Sequence, residues 1–195
     1  MAVEAVLRRG LAAALFLVVP LAHPQPAATP ARAALCAACH GPLGNSQIAN
    51  TPSLAGQPKL FIENTLVLIR EGMRDVPAMK GMLNGMSDAE IVELANYFSA
   101  QKPVPAASGA PDEATFRRGQ ALASRGLCGS CHLPDYSGRA QIPRLAGQHE
   151  DFLMQSLKQF RDHPGPGRDT IMAASLYGLK DNELADLAHY LAHYR

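Results

Sequence analysis

The chain has 195 residues, 47% hydrophobic and 18% charged, a balance that excludes a disordered protein. No apolar run approaches the length of several membrane spans. Lys and Arg total 18 against 17 Asp and Glu, so the net charge of +1 offers no electrostatic footprint for nucleic acid or an anionic membrane.

Residues 1–22 have the layout of a secretory signal: a basic Arg8-Arg9, an apolar stretch from Leu11 to Leu21, then Ala22 and a Pro-rich segment to Pro30. The stretch is shorter than the roughly 20 residues a membrane helix needs. The rest of a twin-arginine motif is missing, so Arg8-Arg9 read as an ordinary basic region. Cleavage is expected between residues 22 and 28. Removing residues 1–22 takes away Glu4, Arg8 and Arg9 and leaves 16 basic and 16 acidic residues. The segment predicts export, to the periplasm in a bacterium, with membrane association only if the signal stays uncleaved.

Beyond the signal the chain is one unit written twice. Cys36-Ala-Ala-Cys39-His40 recurs as Cys128-Gly-Ser-Cys131-His132, and Pro52-Ser-Leu54-Ala-Gly-Gln57 recurs as Pro143-Arg-Leu145-Ala-Gly-Gln148. Met79 recurs as Met172, and Leu94-Ala-Asn-Tyr97 as Leu187-Ala-His-Tyr190. The offsets drift only between 91 and 93, as loop-length changes between two copies of one fold would leave them.

Each copy is predicted to be helical. Phe61, Thr65, Leu66 and Ile69 form one helical face, and Phe152, Ser156, Leu157 and Phe160 take the same places in the second copy. A closing helix carries Ile91, Leu94, Ala95 and Phe98, echoed by Leu184, Leu187, Ala188 and Leu191. Ser87 with Glu90 supplies a capping box at its first start. Residues 101–112 are Pro- and Ala-rich and read as a linker. A helix from Ala114 to about Arg125 leads into the second Cys pair, whereas the first copy has only about Ala31 to Leu35 before its pair. The gaps between helices are rich in Gly, Pro, Ser and Asn, and no convincing alternating strand is present. The boundaries expected are 31–102 for the first domain, 103–112 for the linker and 113–195 for the second domain.

Cys-x-x-Cys-His is the attachment sequence of a c-type haem. Two thiols about one helical turn apart add to the two vinyl groups of a porphyrin, and the adjacent imidazole is brought over the iron. A redox dithiol does not need the His, and a zinc site would use it twice at an unfamiliar spacing. Cys36, Cys39, Cys128 and Cys131 are therefore assigned to two covalent haem c groups, and His40 and His132 to their irons. Each copy spans only about 80 residues, a size at which a side-chain core alone is marginal, so the macrocycle is expected to complete it.

The opposite axial position is assigned to Met79 and Met172. Met73, Met82, Met86 and Met154 have no Met at the repeat offset, whereas these two match each other, 39 and 40 residues after their His. Met86 aligns with Leu179 and reads as core; Met82, aligned with Ser175, is the fallback at the first site. His23, His149, His163, His189 and His193 have no counterpart and read as solvated surface residues. Arg70 and Arg161 match, either as haem-propionate partners or as solvated helix ends.

The doubled pattern over residues 31–195 resembles the dihaem cytochrome c4 family, all-α proteins of two tandem class I cytochrome c domains, each wrapped around a covalent haem. The resemblance implies His40/Met79 and His132/Met172 as iron ligands. It also implies that the carbonyls of Pro52 and Pro143 orient the proximal His residues. It implies electron transfer rather than an enzyme's reaction, from a quinol-oxidising complex to a terminal oxidase. A cytochrome subunit docked on a dehydrogenase or reductase, or a dihaem peroxidase, are the alternatives. The short leading helix of the first copy departs from the family pattern.

Overall fold

The computed structural model describes residues 29–195; the expected signal segment lies outside the described residues. Among the described residues there are eight α-helices, two short 3-10 turns and no strand beyond one isolated bridge between Arg139 and Ile142. The helices are α1 (Ala33–His40), α2 (Lys59–Arg70), α3 (Asp88–Ser99), α4 (Glu113–Arg125), α5 (Cys128–His132), α6 (Glu150–Asp162), α7 (Thr170–Ser175) and α8 (Asp181–His193).

Two hydrophobic cores form, one per copy. In the first, Ile62 of α2 packs with Ile91, Leu94, Ala95 and Phe98 of α3. In the second, Leu153 and Leu157 of α6 pack with Leu184, Leu187 and Leu191 of α8. The apolar stripes of α2 and α6 are centred one position later than the sequence periodicity predicts: Ile62 and Leu153 are buried, whereas Phe61 and Phe152 stay half-buried. A stripe broader than the minimal repeat pattern leaves its centre ambiguous until a partner helix is fixed.

The start of α3 follows from its capping box. Ser87 Oγ accepts from the Glu90 N–H, and the Glu90 carboxylate accepts from the Ser87 N–H at 2.8 Å. In α8 the Glu183 carboxylate accepts from the Lys180 N–H at 2.9 Å, but a lysine side chain has no acceptor to return the bond.

The leading helices differ as the sequence suggests. The helix α4 crosses α8 at Gly119, where an added Cβ would lie 2.1 Å from the Asp186 carbonyl oxygen and 2.5 Å from the Tyr190 Cβ. Arg118 locks the crossing with two bonds of 2.8 Å to the Asp186 carboxylate. In the first copy, α1 runs straight through the Cys motif, and its tie to the closing helix is the Arg32–Glu90 pair at 2.6 Å. Arg125 and Glu183 make the equivalent pair in the second copy at 3.5 Å.

The segment between the copies is laid down on both of them. Asn45 accepts from the Val104 N–H and donates to the Lys102 carbonyl, while the Ala106 N–H donates to the Gly147 carbonyl. Pro103 packs over Gly56 and Pro105 over Gly147, the two matching glycines of the repeated motif.

Candidate haem-binding sites

In the first half, α1 presents Cys36, Cys39 and His40 on its last turns, and Gly41 ends the helix with φ 76°. Cys36 is half-buried against the core and Cys39 is exposed, with no disulfide between them. The second half places Cys128, Cys131 and His132 on α5, with Leu127 in the left-handed region at φ 52° breaking the chain away from α4. Burial is the main influence on the Cys36 and Cys128 thiols and pushes both up, so they are protonated at neutral pH.

His40 and His132 are buried, 8% and 6% exposed. His40 Nδ1 lies 2.8 Å from the Pro52 carbonyl oxygen and His132 Nδ1 lies 2.9 Å from the Pro143 carbonyl oxygen. A carbonyl only accepts, so Nδ1 carries the proton and Nε2 keeps its lone pair. Burial lowers both pKa values, with the carbonyl bond opposing it, and both rings are held neutral. A neutral imidazole with its Nδ1–H pinned to a backbone carbonyl is the form that ligates a metal through Nε2.

The matched methionines have similar environments on different local frames. Met79 ends the 3-10 turn Pro77–Met79, and Met172 sits in α7, whose cap Asp169 accepts from the Met172 N–H at 2.8 Å. Both are half-buried against their own cores. Met86 is buried among core residues as expected, and Met82 is 48% exposed.

Several other positions depart from the sequence expectations. Arg70 and Arg161 are not solvated helix ends: their side chains are only 20% and 16% exposed. Each clamps the start of the closing helix: Arg70 donates to the Met86 carbonyl and Asp88, and Arg161 to the Leu179 carbonyl and Asp181. His149, His189 and His193 are half-buried rather than solvated. His149 Nε2 reaches the Ser46 carbonyl of the other half at 3.0 Å, and His189 bridges Glu150 and the Asp112 N–H.

Sequence reasoning missed Arg74 and Arg168. They approach each other across the junction, where Gly167 packs on the Met73 carbonyl. Arg74 has its pKa lowered first by burial and then by Arg168. Arg168 Nη1 is buried with no hydrogen-bond partner among the described residues, as is Arg144 Nε. A buried N–H without an acceptor is costly, and the two propionates of a haem are acceptors of the kind these two N–H groups lack. The signal was present as Arg74-Asp75 and Arg168-Asp169, a repeated pair just ahead of each matched Met. The thiols, the neutral imidazoles and the orphaned arginine N–H groups together fit haem.

The glutamines of the repeated motif form a reciprocal clasp between the halves. Gln148 accepts from the Ser53 N–H at 2.8 Å and donates to the Ser53 carbonyl at 2.9 Å. Gln57 accepts from the Arg144 N–H at 2.9 Å and donates to the Arg144 carbonyl at 3.0 Å. Ser53 and Arg144 are themselves matching positions, so the clasp has a pseudo-twofold axis.

Comparison with known proteins supports the doubled helical fold. The cytochrome c family model matches residues 116–195, and that of cytochrome c oxidase, cbb3-type, subunit III matches residues 27–98. Cytochrome c4 of Azotobacter vinelandii is 33% identical over 193 residues, covering 89% of this chain and 92% of that protein. A thiosulfate dehydrogenase electron acceptor of Thiomonas intermedia is 32% identical, covering 92% of this chain and 86% of that protein. The crystal structure of reduced recombinant cytochrome c4 from Pseudomonas stutzeri superposes with a TM-score of 0.76 at 32% identity, covering 84% of this chain and 95% of that one. The chain therefore belongs to the cytochrome c4 family: it is an all-α, dihaem electron-transfer protein with two covalently bound haem c groups, and not an enzyme.

Proposed function

We propose that the chain is a periplasmic carrier of single electrons. Cys36 and Cys39 anchor one haem and Cys128 and Cys131 the other, with His40/Met79 and His132/Met172 as the axial pairs. The two haem-holding units are residues 31–102 and 113–195, joined by 103–112. The observation that carries the ligand assignment is the duplicated proximal geometry, in which each His gives its Nδ1–H to a matching proline carbonyl at 2.8 and 2.9 Å. The half-buried Met of each copy supports it.

Haem supplies a one-electron change at iron. A thioether opposite imidazole favours the ferrous state and raises the potential. Two protein ligands per iron leave no position for a substrate, which suits transfer rather than turnover. The expected signal at residues 1–22 supports export, and among the described residues no helix is long and apolar enough to cross a membrane. The carrier takes electrons from a quinol-oxidising complex and delivers them to a terminal oxidase.

The test is spectroscopic. The ferric protein is expected to show the far-red sulfur-to-iron band at both haems, and the reduced protein to resist carbon monoxide. Ready binding of carbon monoxide at either haem would refute two closed His/Met sites and favour the peroxidase alternative.

A second reading has its own support: the Thiomonas intermedia relative is named as the electron acceptor of thiosulfate dehydrogenase. On that reading the chain docks on a dehydrogenase and takes its electrons directly. Gel filtration of native extract separates the two, since the free carrier elutes as a small single-chain protein and the docked subunit co-elutes with an enzyme.

A further inference from the structure

We propose that each glutamine of the repeated motif tunes the iron site of the opposite half: Gln148 sets the donor strength of His40, and Gln57 that of His132. The proposal rests on the reading above that these histidines are axial ligands.

One peptide group carries the coupling at each site. The carbonyl of the Pro52–Ser53 peptide accepts the His40 Nδ1–H at 2.8 Å. The N–H of that same peptide belongs to Ser53 and donates to Gln148 Oε1 at 2.8 Å. In the second half, the carbonyl of the Pro143–Arg144 peptide accepts the His132 Nδ1–H at 2.9 Å, and its N–H donates to Gln57 Oε1 at 2.9 Å. The chain of bonds thus runs from a side chain of one half, through a backbone amide, to the proximal imidazole of the other.

A peptide whose N–H is engaged shifts electron density onto its own carbonyl, and chains of hydrogen bonds polarise one another in this way. A stronger carbonyl acceptor draws the Nδ1 proton and makes Nε2 a better donor to a metal. Better donation stabilises the ferric state and lowers the potential. The geometry is held firmly: Gln57 and Gln148 are 5% and 4% exposed, and each amide nitrogen returns a bond to the carbonyl of Ser53 or Arg144. The two relays differ in one respect. Gln148 Oε1 also accepts the His149 N–H at 3.0 Å, whereas the residue after Gln57 is Pro58, which has no N–H to share it.

A clasp that served only to hold the halves together would change stability without choosing between haems. The experiment is therefore a cross-comparison of Gln148→Met and Gln57→Met in the holoprotein, which keep side-chain length and remove the amide. Potentials are measured by spectroelectrochemistry, each haem being assigned by the NMR signals of its axial methionine methyl group. Gln148→Met is expected to raise the potential of the haem at Cys36/Cys39 and leave the other in place, and Gln57→Met to do the reverse. In the ferrous state the His40 or His132 Nδ1–H resonance of the opposite half moves upfield with it. Unchanged potentials, equal shifts at both haems, or a shift confined to the glutamine's own half overturn the relay.

Should a methionine variant fail to fold, Gln148→Glu and Gln57→Glu retain the acceptor. They are expected to lower the potential of the opposite haem more than that of their own, and the reverse order overturns the proposal. Failure of the ligand assignment looks different: the unmodified protein would lack the far-red band at one haem or show no histidine-ligated spectrum there.

Discussion

Met79 and Met82 lie three residues apart, yet only Met79 is turned against a core while Met82 is 48% exposed. Replacing Met79 by Leu is expected to remove the far-red band of one haem and halve its total intensity, with Met172→Leu removing the other half. Met82→Leu should leave the band intact; its loss would transfer the ligand role to Met82. Gly119 makes a residue-scale demand of another kind. A methyl group there meets the Asp186 carbonyl at 2.1 Å. Gly119→Ala is therefore expected to cost about 3 kcal/mol, the upper end of overpacking penalties, measured by denaturant unfolding. Gly165 has nothing within 4 Å of an added Cβ and provides the control, where alanine is expected to be neutral or stabilising by less than about 1 kcal/mol.

At the scale of elements, the two closing helices start differently despite their common ancestry. Helix α3 has a complete capping box, and Ser87→Ala should destabilise the protein by about 1 kcal/mol. Lys180 holds the same position in α8 without an acceptor, so Lys180→Ser is expected to stabilise by a similar amount, read as a shift in the unfolding midpoint. The Glu90 carboxyl is held down to about 2, first by the Ser87 N–H and then by Arg32. Because its folded pKa is depressed, its stabilising effect is complete above its ordinary value of 4.5 and is lost as pH falls towards about 2. The stability difference between wild type and Glu90→Gln should accordingly shrink across that window in acid-unfolding measurements. An unchanged difference at low pH would mean that the carboxylate is not bonded as described.

Over the whole molecule, charge is spread evenly. Residues 31–102 carry six basic and six acidic side chains and residues 103–195 ten of each, so neither half has a lopsided formal charge. Large apolar side chains are exposed in both halves, among them Leu43 and Ile48 in the first and Ile171 and Tyr177 in the second. A redox partner is expected to dock on an uncharged patch, with its reaction rate nearly independent of salt. Stopped-flow measurement across ionic strength checks this, since electrostatic steering would show a loss of about tenfold or more.

The sequence by itself determined the duplication, the helical class, the two haem attachment motifs and the pairing of Met79 with Met172. These are local in nature: adjacent thiols and imidazole, helical periodicity, and a repeat that marks the same residue twice. The capping box at Ser87 and Glu90 is equally local, and it formed as expected. What only the tertiary structure decided lies between segments far apart in the chain. Arg70 and Arg161 were visible as a matched pair, but their use as helix clamps depends on where α3 and α8 begin. Arg74 and Arg168 become neighbouring half-buried cations only when the two halves are packed together. The Gln of each Pro-x-Leu-Ala-Gly-Gln segment stands out in the repeat, yet its bonds are made to the other copy, 87 to 95 residues away. Periodicity and spacing report on one segment at a time, whereas a contact across the junction depends on how the two folded halves are oriented.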